Sequence, residues 1–250
     1  MKKHLHIVTF NVPYPPDYGG VIDVFYKLKA LSEQGTSITL HAFEYGRPQA
    51  VTLERYCEKV YYYTRETGVR SQLSLIPYIV YSRRNQTLLE NLQKDDSPIL
   101  FEGLHTCYYL SHPSLRNRCK IVRLHNIEHI YYRGLAACTR SLWKKIYFAL
   151  EALRLKRYEK QLRNAEYLLP LSSTETVYFE QHYGKEKVKL VPLFFQREKN
   201  DENTRNILPC VLYQGDLSTP ENIRAATHLI RALAAPDSTI PWLFAGKNPD

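Results

Sequence analysis

A chain of 250 residues with 44% hydrophobic content can bury the core of one large domain or two modest ones, and it carries no long polar tract that would argue for disorder. Lysine plus arginine outnumber aspartate plus glutamate by 34 to 25, and the formal charge of +9 favours anionic partners such as phosphorylated ligands or acidic lipid surfaces. Five scattered cysteines form no C-x-x-C pair, no RNA-binding or zinc-finger spacing points to nucleic acid, and no apolar run nears the ~20 residues of a membrane span.

The opening MKKHLHIVTFNVPYPP lacks an uninterrupted apolar stretch of signal-peptide length, so a cytoplasmic protein is expected, with peripheral membrane contact left open. Residues 5–10, LHIVTF, are an uncharged β-rich run that suits a buried strand of a parallel sheet. The loop NVPYPPDYGG follows, and Val21, Val24, Phe25, Leu28 and Leu31 then recur at helical spacing up to Gly35, which is placed to end the helix. Residues 37–43 and 59–64 read as strands, and 73–93 as helix broken near Pro77. Strands are predicted at 98–102 and 120–124, helices at 127–138 and 141–164, and a strand at 166–171. Ser172 with Glu175 makes a capping-box pattern that opens a helix ending at Gly184, and 187–191 predicts one more short strand.

This alternation predicts an α/β fold, a Rossmann-like parallel sheet with helices on both faces, over residues 1–195. The polar stretch QREKNDENTRN begins a linker over 196–208. Residues 209–250 start a second unit: a strand at 210–214, a turn at Gly215, and a helix opened by Ser218, Pro220 and Glu221. Ile223, Ala226, Ile230 and Leu233 form its apolar stripe, and 240–245 is a second strand. Two strands and one helix cannot enclose a core, so this βαβ unit is expected to be incomplete.

Four motifs carry chemistry or could carry it. Gly19-Gly20 opens the first helix, where free N–H groups and the dipole favour an anion, although turn geometry alone also accounts for a glycine pair. RLHNIEHIYYRGL, residues 123–135, puts His125, Asn126, Glu128 and His129 at the carboxyl end of a strand, where open α/β sheets bind ligands; a structural histidine is the alternative. FEGLHT, residues 101–106, places Glu102 and His105 at another strand end, where Glu102 faces either the crevice or a basic neighbour. In the helix over 141–165, basic residues mix with Trp143, Tyr147 and Phe148; Arg154 and Arg157 fall near the arc of Leu142, Ile146, Leu150 and Leu153, which reads as a packed, partly exposed helix rather than a membrane-surface one. No hydrolase triad, P-loop or metal-ligand constellation stands out.

In order, these segments resemble the family-4 glycosyltransferases. HLHIVTFNVPYPPDYGGVIDVFYKLKALSEQGTSITLHAF looks like the family's opening, RLHNIEHIYYRGLA is similar to its histidine segment, and NAEYLLPLSSTETVYFEQHYGKEKVKLVPLFF resembles its crossover to the second domain. VLYQGDLSTPENIRAATHLI and WLFAGKNPD resemble the first βαβ of the donor domain. The resemblance implies a retaining enzyme of two-domain GT-B architecture that needs no metal or cofactor. It implies a nucleotide-diphosphate sugar donor and a glycan or lipid-linked acceptor, as in polysaccharide biosynthesis. Gly19 and Gly20 would then approach the donor diphosphate or the acceptor, His125 would sit beside the transferred sugar and orient it, Asn126 and Glu128 would stand with the substrate-binding set, and Gly215 would start the donor-side phosphate loop. Two departures matter. Asp216 and Glu221 stand where many members carry basic residues, and the acidic E-x7-E segment would lie beyond Asp250. The expectation is therefore an incomplete donor site, a 250-residue chain inactive by itself, and a rival reading as a non-catalytic binding or scaffold protein.

Overall fold

The computed structural model describes residues 3–196, 210–217, 219–233 and 241–246. Six strands, β1 (His4–Thr9), β2 (Ser37–Glu44), β3 (Lys59–Thr64), β4 (Ile99–Glu102), β5 (Lys120–Leu124) and β6 (Tyr167–Pro170), form one parallel sheet in the order β3-β2-β1-β4-β5-β6. The helices α1 (Gly19–Glu33), α2 (Val69–Leu73), α3 (Tyr78–Tyr81), α4 (Gln86–Leu92), α5 (Glu128–Cys138), α6 (Leu142–Tyr158) and α7 (Ser173–Tyr183) flank it or lie in its connections. This is the doubly wound order, whose direction reverses between β1 and β4. All six strands point the same way, so their carboxyl ends share one edge of the sheet. A second, two-stranded parallel sheet pairs β7 (Val211–Gln214) with β8 (Trp242–Ala245), with α8 (Pro220–Leu233) between them in sequence. Contact density divides the chain into Met1–His129 with Leu153–Gln196, and Ile130–Ala152 with Arg197–Asp250.

Alternation along the strands explains the two faces of the large sheet. Ile7, Ile38, Leu40 and Leu100 share one core with Val24, Phe25 and Leu28 of α1. His4, His6, Thr39 and His41 belong to the alternate positions and carry polar pairs. α1 ends as its sequence directs: Gly35 has φ +79, and its N–H donates to Ser32 O at 2.9 Å.

Two expectations need correction. Residues 73–93 hold no continuous helix but three short ones, α2, α3 and α4, because Ser74 is extended, Pro77 starts a new turn, and Asn85 caps α4 by accepting the Leu88 N–H at 3.1 Å. Residues 187–191 form no strand: Val188 makes only an isolated bridge to Leu168, although Lys189 N and Val191 N still donate to Leu168 O and Pro170 O. On α6 the arc of Leu142, Ile146, Leu150 and Leu153 is exposed, while Glu151, Ala152 and Leu155 are buried, so the helix is packed and partly exposed as expected. The stripe on α8 likewise buries Ala226 and leaves Ile223 and Ile230 exposed. The linker over 197–208, Ser218, and the side chains of Glu221 and Leu233 lie outside the described residues. No described helix is long and apolar enough to cross a membrane, and the five cysteines are free.

Candidate functional site

The reversal point between β1 and β4 positions the chemistry. Beyond β1 the chain passes Phe10 and Asn11, then the proline loop, and enters α1 at Gly19. That helix has no side-chain cap at Tyr18 and no acid in its first turn, so its leading N–H groups and positive dipole end are left for an anion. Gly19 has open space around it. Gly20 does not: a Cβ there would come within 2.8 Å of Phe10 Cζ. The Phe10 ring in turn meets His125 edge-on at 5.5 Å and His105 at 5.6 Å. Through Phe10, Gly20 and the two histidines are brought together at the carboxyl edge.

A buried charge network backs His125. Its Nε2 lies 3.1 Å from Glu102 Oε2, at the end of β4. The other oxygen of Glu102 accepts from Lys27 Nζ at 2.6 Å, and Lys27 also donates to Asp23 at 3.0 Å, one turn back on α1. Arg123 on β5 donates to both Asp23 oxygens, at 3.0 and 2.9 Å. Burial alone would raise both carboxyls, but the Arg123 bond and the Lys27 charge hold Asp23 well below the usual range, and Lys27 with His125 lowers Glu102. Two carboxylates are thus matched by two cations. Asp23, Glu102 and His125 bring ligand-type atoms within 4.8 Å of one another, yet Lys27 and Arg123 already supply the compensating positive charge. The tautomer that donates Nε2–H to Glu102 leaves His125 Nδ1 as an acceptor, with no partner among the described residues.

Gly103 joins β4 to the next turn with φ +74, where a Cβ would lie 3.0 Å from His105 Nδ1 and 3.7 Å from His125 Cδ2. The left-handed backbone and the absent side chain let both imidazoles close over it. Glu128, at the start of α5, is buried with its Oε1 unpaired, 3.7 Å from the equally unpaired His105 Nδ1. Burial pushes the Glu128 carboxyl up to about 8, against the hydrogen bond of Asn126 and the charge of Arg83. Burial, with Arg83 next, holds the His105 imidazole well below its ordinary value. Asn126 is exposed. His129 turns away to Glu159 at 3.1 Å, which is the structural role a histidine there could equally take. In the second unit Gly215 follows β7, and its N–H donates to Ala245 O at 3.0 Å, so that group is already used in the sheet. Asn222 donates to Asp216 O at 3.0 Å and closes the same turn.

Sequence reasoning singled out Gly19, Gly20, His125 and Glu128 as candidates and passed over Asp23, Lys27 and Arg123, which the fold brings beside His125. The signal was present: an acid and a lysine one turn apart inside the apolar run of α1, and a lone arginine inside the buried strand KIVRL. A charge at such a position needs a partner.

No family model matches this chain. An uncharacterized 44.6 kDa protein in the cps region of Klebsiella pneumoniae is 29% identical over 228 residues, which cover 87% of this chain and 57% of that protein. Among solved structures, a Medicago truncatula protein complexed with UDP-glucose matches 98% of this chain and 66% of its own, at 10% identity and TM-score 0.55. A UDP-glucosyltransferase from Polygonum tinctorium capable of glucosylating indoxyl matches 98% and 65%, at 13% identity and TM-score 0.53. A Phytolacca americana protein complexed with UDP-2-fluoro-glucose and pterostilbene matches 86% and 60%, at 11% identity and TM-score 0.53. The chain therefore spans 57–66% of the length of these proteins, and it shares the fold of the three solved structures.

Proposed function

We propose that this chain supplies the acceptor-side domain of a nucleotide-sugar glycosyltransferase, with His125 beside the sugar being transferred. The observation that carries the reading is the Glu102-backed imidazole at the strand-reversal edge, joined through Phe10 to the uncapped N-terminus of α1. The donor would be a nucleotide-diphosphate sugar and the acceptor a glycan or lipid-linked sugar, in line with the fold and with the cps-region relative. A lipid-linked acceptor would bring the chain to a membrane surface. In the transfer, the bond from the anomeric carbon to the diphosphate oxygen breaks and a bond to the acceptor oxygen forms. N–H groups at Gly19 and Gly20 suit the phosphate charge, and Gly215 would start a phosphate loop of the second unit. His125 Nδ1 would accept a hydrogen bond from a sugar hydroxyl and orient the ring, with Asn126 and Glu128 lining the approach. Lys27 and Arg123 neutralise the local carboxylates, so the reading needs neither metal nor cofactor at the crevice.

The His125–Glu102 bond at 3.1 Å favours a second role, proton acceptor for the attacking hydroxyl. Orientation accords with the retaining chemistry that the family resemblance implies, whereas a base driving single displacement inverts the anomeric centre. Anomeric configuration of the product by NMR separates the two.

The test is made on the protein as its gene encodes it, assayed for nucleoside diphosphate release from UDP-, GDP-, ADP- and dTDP-sugars with glycan and lipid-linked acceptors. His125→Ala should lower turnover by about 10²–10⁴-fold while donor affinity changes little. No transfer from any donor, or full turnover in His125→Ala, overturns the reading.

A further inference from the structure

The amino edge of the large sheet, opposite the crevice, holds a second cluster of ligating side chains. His4 and His6 alternate onto one face of β1, their ring centroids 5.0 Å apart. Asp95 reaches them from the turn between α4 and β4. Its two oxygens differ in their surroundings. Oδ1 accepts the Ser97 N–H at 2.7 Å and lies 3.1 Å from His6 Nε2 and 3.7 Å from the Arg118 guanidinium. Oδ2 lies 2.9 Å from His6 Nε2 and 3.9 Å from His4 Nδ1. The ligand atoms of these three residues all fall within 4.8 Å of one another. A surface cavity of about 340 Å³, bordered by His4, Thr39, Glu58 and Asp95 among others, opens the cluster to water.

Behind the cluster, each imidazole is fixed through its other nitrogen. His4 Nε2 lies 3.0 Å from Thr39 Oγ1. His6 Nδ1 lies 2.9 Å from His41 Nε2, and His41 Nδ1 lies 2.8 Å from Tyr63 Oη. Protons on His4 Nε2 and His6 Nδ1 leave lone pairs on the two nitrogens that face Asp95. Ser97 Oγ, 2.8 Å from His4 Nδ1, is a hydroxyl able to rotate aside. Imidazoles held in this way are the usual arrangement behind metal-bound histidines.

We propose that His4 Nδ1, His6 Nε2 and Asp95 Oδ2 bind one divalent transition-metal ion, with zinc the best match to two imidazoles and one carboxylate. Such a donor set suits zinc far better than calcium or magnesium, which prefer oxygen ligands. Water from the cavity completes the coordination. The ion sits at the start of the strands, away from His125, and ties β1 to the α4–β4 turn. Its role is therefore to clamp the sheet, and it is independent of sugar transfer. The same side chains also satisfy one another without an ion, through the His6–Asp95 bond, and the experiment must separate the two states.

The full chain, stripped with chelator, is titrated with zinc chloride at neutral pH by calorimetry, with melting followed in parallel. Expected are one zinc per chain, a higher melting temperature with zinc, and no competition from magnesium. His4→Gln and Asp95→Asn should each weaken binding about 100-fold or more, and His41→Gln, one bond further out, about 10-fold. The side chains of His4 and Asp95 are 26% and 39% exposed, so these substitutions leave the core in place. Circular dichroism of the chelated variants should match that of the wild type. Absence of zinc binding by the stripped wild-type chain overturns the proposal. So does zinc binding that survives both His4→Gln and Asp95→Asn, since the ion then sits on other histidines.

Discussion

Burial drives Glu128 and His105 in opposite directions. It raises the carboxyl to about 8 and lowers the imidazole well below its ordinary value, so near neutrality both are uncharged. The folded carboxyl lies above its ordinary value of 4.5, so the folded chain holds a proton that the unfolded chain releases. The stability linked to that proton is complete below 4.5 and is lost as pH rises through about 8. Glu128→Gln keeps the shape and removes the titration. Over this window wild type should lose stability relative to the variant, with a slope approaching about 1.4 kcal/mol per pH unit. Urea unfolding at a series of pH values checks it, and parallel curves for the two proteins would show that Glu128 titrates normally. Asp23 and Glu102 have the reverse sign: their lowered values give stability that is present above the ordinary carboxylate range and lost on acidification.

At the level of elements, local signals decided what could be read from sequence. Ser172 and Glu175 form both bonds of the capping box on α7: the Glu175 N–H donates to Ser172 Oγ at 3.3 Å, and Glu175 Oε2 accepts the Ser172 N–H at 3.2 Å. Ser172→Ala should cost about 1 kcal/mol in denaturant unfolding, and a loss under ~0.3 kcal/mol would mean that packing alone holds the helix end. Gly35 and Gly184 mark helix ends in the same legible way. The failures have a common cause. The breaks within residues 73–93 depend on Ser74 leaving the helix and on Asn85 capping a new one, and periodicity ignores such competition. The exposed arc of α6 depends on what packs against the helix, which its own sequence does not carry. At the carboxyl edge, His125 and the glycine pair were singled out as candidates because strand ends and helix starts are local. The Lys27–Glu102 pair was not, since its partners stand 75 positions apart and only the fold brings them together. His6 fell within the strand expected over 5–10 and His4 just before it, and nothing local marked either until Asp95, some 90 positions away, joined them.

One buried ion pair holds together distant parts of the large-sheet unit. Arg123 is fully buried on β5, and besides Asp23 it donates to the carbonyls of Val191 and Pro192. Asp23 also accepts the Phe194 N–H at 2.9 Å, across 171 positions of sequence. Helix α1, strand β5 and residues 191–194 therefore meet at a single carboxylate. Removing one member of such a pair leaves a charge buried without compensation, a cost of about 3–5 kcal/mol. Asp23→Asn nearly preserves shape, so its effect reports charge rather than volume. It should destabilise the chain by that amount and speed amide exchange at Phe194, while α7, held by its own cap, exchanges as before. The double variant Asp23→Leu with Arg123→Met should recover much of the loss, because two apolar side chains leave only Lys27 and Glu102 to balance each other. Exchange measured by mass spectrometry, together with denaturant unfolding, gives both quantities. Were Asp23→Asn as stable as wild type, or Phe194 exchange unchanged, the carboxylate would be a passive neighbour of Arg123, and residues 191–194 would be held by the Arg123 bonds to Val191 and Pro192 and the backbone bond to Pro170 without it.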